Sequence, residues 1–406
     1  MASSLNRRQF LRASSAGLTA SLLLPRLRAK GANDRLRIGV IGCGHRGTQL
    51  LGRLKKNRET ANVTVTAVCD VWRVAREKAA DLVQRDFDSR PREFSRFADL
   101  LALKEVDGVV ITTPDFTHSP ILTAAARAGK DAYCEKPMAY SLEQANEARQ
   151  AVRENRAVVQ IGTQRRSDGQ FLAAAELIQA GVIGKVVHVE TGWNDAKPRW
   201  EREFADLKEA DVDWEAFLSG LPARPFDARR LRCWQLYRDY TCGPVGLLGS
   251  HMIDAAIMLV GDSYPVRAIA LGGTYVWADR EHPDMLECVL EYPSGFLLRY
   301  STRLANSRES PEATVYGTKG TFDTDSWEAR PEGGGEGRLD KPIPVAPRES
   351  LGHVRNWLDC MRSREDPAAT VEMGHAHSVA SIMAHEAYLS GRRHRYEPAS
   401  SRILAE

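Results

Sequence analysis

The sequence predicts two successive folds: an α/β domain on a doubly wound parallel sheet, then an α+β domain with an open-faced, mostly antiparallel sheet. Three observations predict this. Between residues 36 and 165, short continuous apolar runs alternate with helical periodicity. Strands that are apolar on both faces belong to a parallel sheet covered by helices. A glycine-rich turn joins the first run to the first helix. Beyond about residue 165 the strand candidates lengthen, and Tyr292-Pro293-Ser294-Gly295 reads as a hairpin turn between two of them.

In chain order, strands are expected at 36–41, 63–69, 108–112, 131–134 and 158–161, with helices at 48–56, 75–84, 120–128 and 141–154 between them. A helix at 170–180 leads into a strand at 186–193. Longer strands follow at 266–277, 285–292, 296–303 and 312–316, then a glycine-rich acidic loop at 331–337. Helices at 351–362 and 374–389 close the chain. The expected domains are a leader at 1–32, an α/β domain at 36–165 and an α+β domain at 166–398. The late helices have the option of packing back on the first domain.

The leader has its own grammar. Asn6-Arg7-Arg8-Gln9-Phe10-Leu11 precedes a weakly apolar stretch ending at Pro25, the layout of an export signal and of the twin-arginine type in particular. The expectation is export of the folded protein to the periplasm. A cytoplasmic protein with an amphipathic N-terminal helix is the alternative. The first 32 residues carry six cations and no acid, so the net charge of +3 becomes −3 for the rest. A mildly acidic body gives no bulk reason to bind nucleic acid. No apolar run reaches the ~18 residues that span a bilayer, so no membrane insertion is expected beyond a leader left uncleaved. Seven cysteines without regular spacing read mostly as core residues, with Cys233 and Cys242 either paired after export or free.

Gly42-Cys43-Gly44-His45-Arg46-Gly47 follows an apolar strand and opens a helix. In that context the pattern is a dinucleotide-binding turn, the mark of a Rossmann domain. The first glycine makes the turn, the second admits a pyrophosphate, and the third packs helix on strand. The helix start supplies N–H groups and a positive dipole end, which places His45 and Arg46 at the cofactor. Asp70 closes the second strand, where a carboxylate accepts ribose hydroxyls and repels a 2′-phosphate, so NAD is expected and NADP is less favoured. Thr113, Pro114 and His118 follow the next strand and face the same crevice, although His118 also suits a helix-start packing role.

With Glu135-Lys136-Pro137 the chain resembles the Gfo/Idh/MocA oxidoreductases, NAD(P)-dependent enzymes acting mainly on sugars and cyclitols. The resemblance rests on the nucleotide turn, on residues 112–118 (Thr-Thr-Pro-Asp-Phe-Thr-His), on 135–137 and on 162–165 (Gly-Thr-Gln-Arg). It is completed by 249–254 (Gly-Ser-His-Met-Ile-Asp) and 317–322 (Gly-Thr-Lys-Gly-Thr-Phe). It implies a carbohydrate substrate between the two domains and a homodimer or homotetramer. It makes Lys136 the lysine that orients the substrate and relays its hydroxyl proton, and His251 the histidine that takes that proton. Glu135 and Gln164 fall among cofactor-facing groups, and Arg165 and Trp193 among substrate-facing ones. Asp254, three residues beyond His251 on a helix, is expected to tune the site. Trp234, Tyr237 and Tyr240 form either a sugar-stacking wall or part of the core. His375, His377 and His385 lack ligand spacing, so no metal is expected.

One departure stands out: where many relatives place an aspartate four residues before the histidine, this chain has Leu247. The first reading is a sugar or polyol dehydrogenase. A redox-neutral glycosidase that oxidises transiently is the alternative, and a non-catalytic cofactor-holding partner protein is the second.

Overall fold

The computed structural model describes residues 34–406, so the leader and its arginine pair lie outside the described residues. The first half alternates as its periodicity predicts. It comprises β1 (Leu36–Ile41), α1 (His45–Lys56), β2 (Val63–Cys69), α2 (Arg73–Phe87), β3 (Arg92–Phe94), α3 (Phe97–Leu101), β4 (Gly108–Ile111), α4 (Asp115–Arg127), β5 (Asp131–Cys134), α5 (Leu142–Asn155) and β6 (Val159–Ile161). The six strands are parallel, in the order β3-β2-β1-β4-β5-β6. The order reverses direction between β1 and β4, which opens a crevice at their carboxyl ends. Helix α4 starts at Asp115, earlier than the proline signal at Pro120 suggested, and it carries that proline in its interior.

The second half begins with α6 (Gly169–Gln179), whose first N–H groups at Gln170 and Phe171 are capped by Asp168. Next come β7 (Val186–Asn194), two short helices, α7 (Trp214–Leu218) and α8 (Ala228–Arg232), and a π-helical turn at Val245–Gly249 that runs into α9 (Ser250–Val260). The rest is β8 (Arg267–Gly273), β9 (Met285–Tyr292), β10 (Phe296–Arg303), β11 (Thr314–Gly317), β12 (Thr321–Asp323), β13 (Glu328–Arg330), β14 (Ile343–Pro344), α10 (His353–Ser363), α11 (Val371–Ser390), β15 (His394–Glu397) and β16 (Arg402–Ala405). All ten strands from β7 on form one sheet, so it runs past residue 398. Every pairing in it is antiparallel except β7 with β10. Strand β8 stops short of residue 277 because Asp284 accepts the N–H groups of Tyr275, Val276 and Trp277 and turns the chain there.

One face of the large sheet packs on α6, α9 and α11. The other face is open and leaves Val187, Ile269, Leu271 and Leu297 exposed. Helix α10 returns to the first domain, where Val354, Trp357 and Met361 join the core of β1 and α1. Residues 195–240 gave almost no periodic signal. They reach across to the first domain through a bridge between Val212 and Trp72 and through ion pairs from Arg73 to Asp211 and from Arg96 to Asp213. All seven cysteines are free and buried. Cys233 and Cys242 sit in different hydrophobic clusters, so the structure does not pair them.

Candidate active site

The carboxyl ends of β1, β2, β4 and β5 open into a cavity of about 910 Å³, closed on its far side by Trp193, Arg199, Trp200, Trp234, Leu247 and His251. At its floor, Gly42 adopts φ of +91°, and a Cβ there would lie 2.6 Å from the Thr112 backbone. A Cβ on Gly47 would lie 2.1 Å from the Gly42 carbonyl oxygen, so the third glycine sits behind the turn and lets α1 close on β1. Gly44 has nothing within 4 Å of a Cβ position and faces the cavity. No side chain caps the N-terminus of α1, so its first N–H groups stay free for an anion.

Asp70 accepts from the backbone N–H of Cys43 at 2.6 Å and of Trp72 at 2.8 Å. Burial raises its carboxyl, and these two hydrogen bonds oppose the rise. His45 lines the rim beside Gln49, 2.9 Å from its ring. Arg46 holds Glu135 at 2.7 Å, and Gln164 donates to the Tyr133 hydroxyl at 3.0 Å and to Glu135 at 3.4 Å. His118 is fully engaged, its ring nitrogens 2.8 Å from the carbonyl oxygens of Pro137 and Thr113. Free turn donors, a glycine clear of obstruction and an acid at the end of β2 together fit a dinucleotide.

Lys136 and His251 line the same cavity. The Lys136 ammonium donates to the Leu247 backbone carbonyl at 2.6 Å. Burial lowers its pKa, Asp115 and Glu135 oppose that, and Arg46 and Arg199 reinforce it. His251 lies nearly parallel to Trp193, with centroids 6.4 Å apart, and its Nδ1 has no hydrogen-bond partner among the described residues. Burial first, then the charges of Lys136, Arg165, Arg46 and His377, push its pKa well below the usual histidine value, so the ring is neutral. Arg199 lies over the rings of Trp193 and Trp200, 5.3 and 5.9 Å from their centroids.

Four expected site residues do not line the cavity: Gly47, which sits behind the turn, and Asp254, Arg165 and Tyr240. Asp254 is 1% exposed and points behind α9, where Arg166 donates to both its oxygens at 2.9 and 3.0 Å and His377 lies 3.4 Å away. The i, i+3 spacing put it near His251, but that edge of the helix faces α11 and the Arg166 turn. Arg165 turns outward to Glu312, bonded at 2.5 and 2.6 Å. Tyr240 packs with Phe116, Phe217 and Tyr237, so of the aromatic trio only Trp234 lines the cavity. Sequence reasoning also missed residues that do line it. Asp115 was read only as part of the strand-end motif, and Arg199 and Trp200 lie in the segment without periodicity.

Residues 36–163 match the oxidoreductase-family NAD-binding Rossmann fold, and residues 175–339 match the C-terminal α/β domain of the same family. The chain belongs to the Gfo/Idh/MocA oxidoreductase family. Among relatives of this family, it is 27% identical over 230 residues to a glycosyl hydrolase family 109 protein of Stenotrophomonas maltophilia, covering 55% of this chain and 46% of that one. It is 27% identical over 274 residues to an inositol 2-dehydrogenase of Rubrobacter xylanophilus, covering 61% of this chain and 75% of that one. The chain thus spans about half the length of the first relative. The aldose-aldose oxidoreductase of Caulobacter crescentus, solved with glycerol, shares the fold at a TM-score of 0.67 and 20% identity, covering 89% of this chain and 99% of that one. No helix among the described residues is long and apolar enough to cross a membrane.

Proposed function

We propose that this chain is an NAD-dependent oxidoreductase that moves a hydride between a ring hydroxyl of a sugar, polyol or glycoside and the cofactor. The observation that carries this reading is that Lys136 and His251 line the same cavity as the nucleotide turn, with Lys136 held by the Leu247 carbonyl four residues before His251. Gly42, Gly44, the start of α1 and Asp70 would hold the dinucleotide, and its nicotinamide supplies the hydride acceptor. The Asp70 carboxylate supports NAD over NADP. The Lys136 ammonium donates a hydrogen bond to the reacting oxygen, and the hydroxyl proton goes to His251. The neutral ring of His251 offers a lone pair to the same group. Trp193, Trp200 and Trp234 line the cavity, and aromatic rings of this kind stack on sugar rings.

The leader supports export by the twin-arginine route, and the open face of the large sheet supports a homodimer or homotetramer. The test is to incubate the purified protein with NAD or NADP and a panel of inositols, aldoses, uronic acids and glycosides. Absorbance at 340 nm and product mass are then recorded. Substrate-dependent NADH formation with NAD, weaker with NADP, is expected. A protein that binds neither nucleotide, or that loses no turnover on Lys136→Met, would sink the reading.

A further inference from the structure

Lys136 has two carboxylates near it, and they are not equivalent. Glu135 is already committed: Arg46 holds it at 2.7 Å, and Gln164 donates to the same oxygen. Asp115 is 3% exposed, opens α4 and lines the cavity with Lys136. Its one side-chain partner among the described residues is Thr241, whose hydroxyl donates to Oδ2 at 2.8 Å. Among the described residues no ion pair within 4.0 Å neutralises it. The segment that carries Thr241 ties the two sites together. Phe116 donates its N–H to the Tyr240 carbonyl at 3.2 Å, Thr241 holds Asp115, and the Leu247 carbonyl then takes the Lys136 ammonium. A Cβ on Gly246 would lie 3.7 Å from the Thr241 hydroxyl and 4.0 Å from Pro137, so this segment is packed directly on the Lys136 loop.

We propose that Asp115 replaces the carboxylate that residue 247 lacks, acting as the counter-charge that sets the protonation of Lys136, with Thr241 as its anchor. Position and charge are thereby supplied separately: the Leu247 carbonyl fixes the ammonium, and Asp115 balances it. The groups facing Lys136 are Asp115, Glu135, Arg46, Arg199 and His251; those facing Asp115 are Lys136, His118 and Glu135. Burial raises the Asp115 carboxyl to about 6 against the opposing pull of His118, Lys136 and the Thr241 hydroxyl, so above that pH it is an anion. Asp115 is a positioning residue here, acting through Lys136. The consequence for turnover rests on the oxidoreductase reading above; the charge pairing itself does not.

The test needs no substrate. The full-length protein is trace-labelled with acetic anhydride between pH 6 and 10, and acetylation of Lys136 is read by mass spectrometry against the other lysines. In Asp115→Asn the labelling curve of Lys136 is expected to move about one pH unit lower, a roughly ten-fold rise in reactivity at fixed pH. Thr241→Val, which keeps the carboxylate and removes only its anchor, is expected to move it less in the same direction at pH 6–7. Curves unchanged from wild type in both variants overturn the proposal, as does an equal shift at every lysine. A shifted curve in a protein that oxidises no carbohydrate would leave the pairing standing and refute the oxidoreductase reading. Turnover with an unshifted curve would do the reverse.

Discussion

Asp254 gives the sharpest separation of structural from chemical roles. Its carboxylate is 1% exposed and receives two hydrogen bonds from Arg166, whose side chain is 8% exposed. No other carboxylate among the described residues lies within 4.0 Å of that guanidinium. Asp254→Ala would leave a buried cation without a counter-ion, a loss of about 3–5 kcal/mol. Removing both charges, with Arg166→Met and Asp254→Leu together, should recover most of it, because an apolar pair of similar volume is close to neutral in such sites, within roughly 1 kcal/mol. Urea titration followed by circular dichroism measures both. The pH dependence has a defined sign. Burial raises the Asp254 carboxyl, but Arg166 and His377 bring it below the ordinary value. Its contribution is therefore fully present above the unfolded pKa of about 3.9 and is lost as pH falls through the lower folded value. Between pH 5 and 8 the gap between wild type and variant should stay constant. A cost under about 1 kcal/mol, or lost turnover at unchanged stability, would refute the structural role and restore the catalytic one read from the sequence.

Gly47→Ala would drive a methyl to 2.1 Å from the Gly42 carbonyl oxygen, which should cost about 1–3 kcal/mol and weaken dinucleotide binding, read by thermal shift with and without NADH. Asp70→Ser should raise the Kd for NADH about ten-fold or more and narrow the preference over NADPH, measured by fluorescence titration of each. His251→Asn should lower kcat while costing only about 1 kcal/mol of stability, the ordinary range for a point mutant. In the wild type the histidine pKa, held well below the usual value by burial and by Lys136, predicts no titration of this ring between pH 6 and 8 by NMR. A His251 resonance that titrates near 6.5 would contradict the charge environment described here.

The Rossmann half was readable because its constraints are local. Strands buried on both faces must be apolar throughout, and Gly42 and Gly47 are dictated by a positive φ and a 2.1 Å approach that no other residue tolerates. The same locality made Lys136 and His251 legible through short motifs. What failed was non-local. Helices α7 and α8 have five residues each and owe their place to the cluster of Phe116, Phe217 and Leu236 and to Arg73 and Arg96, so no periodicity announces them. Helical spacing told which edge of α9 holds Asp254 but not what packs there, and Arg166 lies 88 residues away in the chain. Asp115 and Thr241 are 126 residues apart.

Leu247 shows why a missing side chain is not a missing interaction. A sequence is read through side chains, and a leucine in place of an aspartate reads as the loss of both an acceptor and a charge. The π-helical turn at Val245–Gly249 gives the acceptor back from the backbone, which any residue at 247 carries. A neutral carbonyl can fix the direction of an ammonium, yet it offers little against the burial that lowers the Lys136 pKa. The charge has to come from a full anion, and Glu135 is spent on Arg46. Of the two carboxylates whose charge acts on Lys136, Asp115 is the one not held by an arginine. A substitution that looks inactivating in one dimension is then compatible with a working lysine, provided that Asp115 and its anchor are retained together.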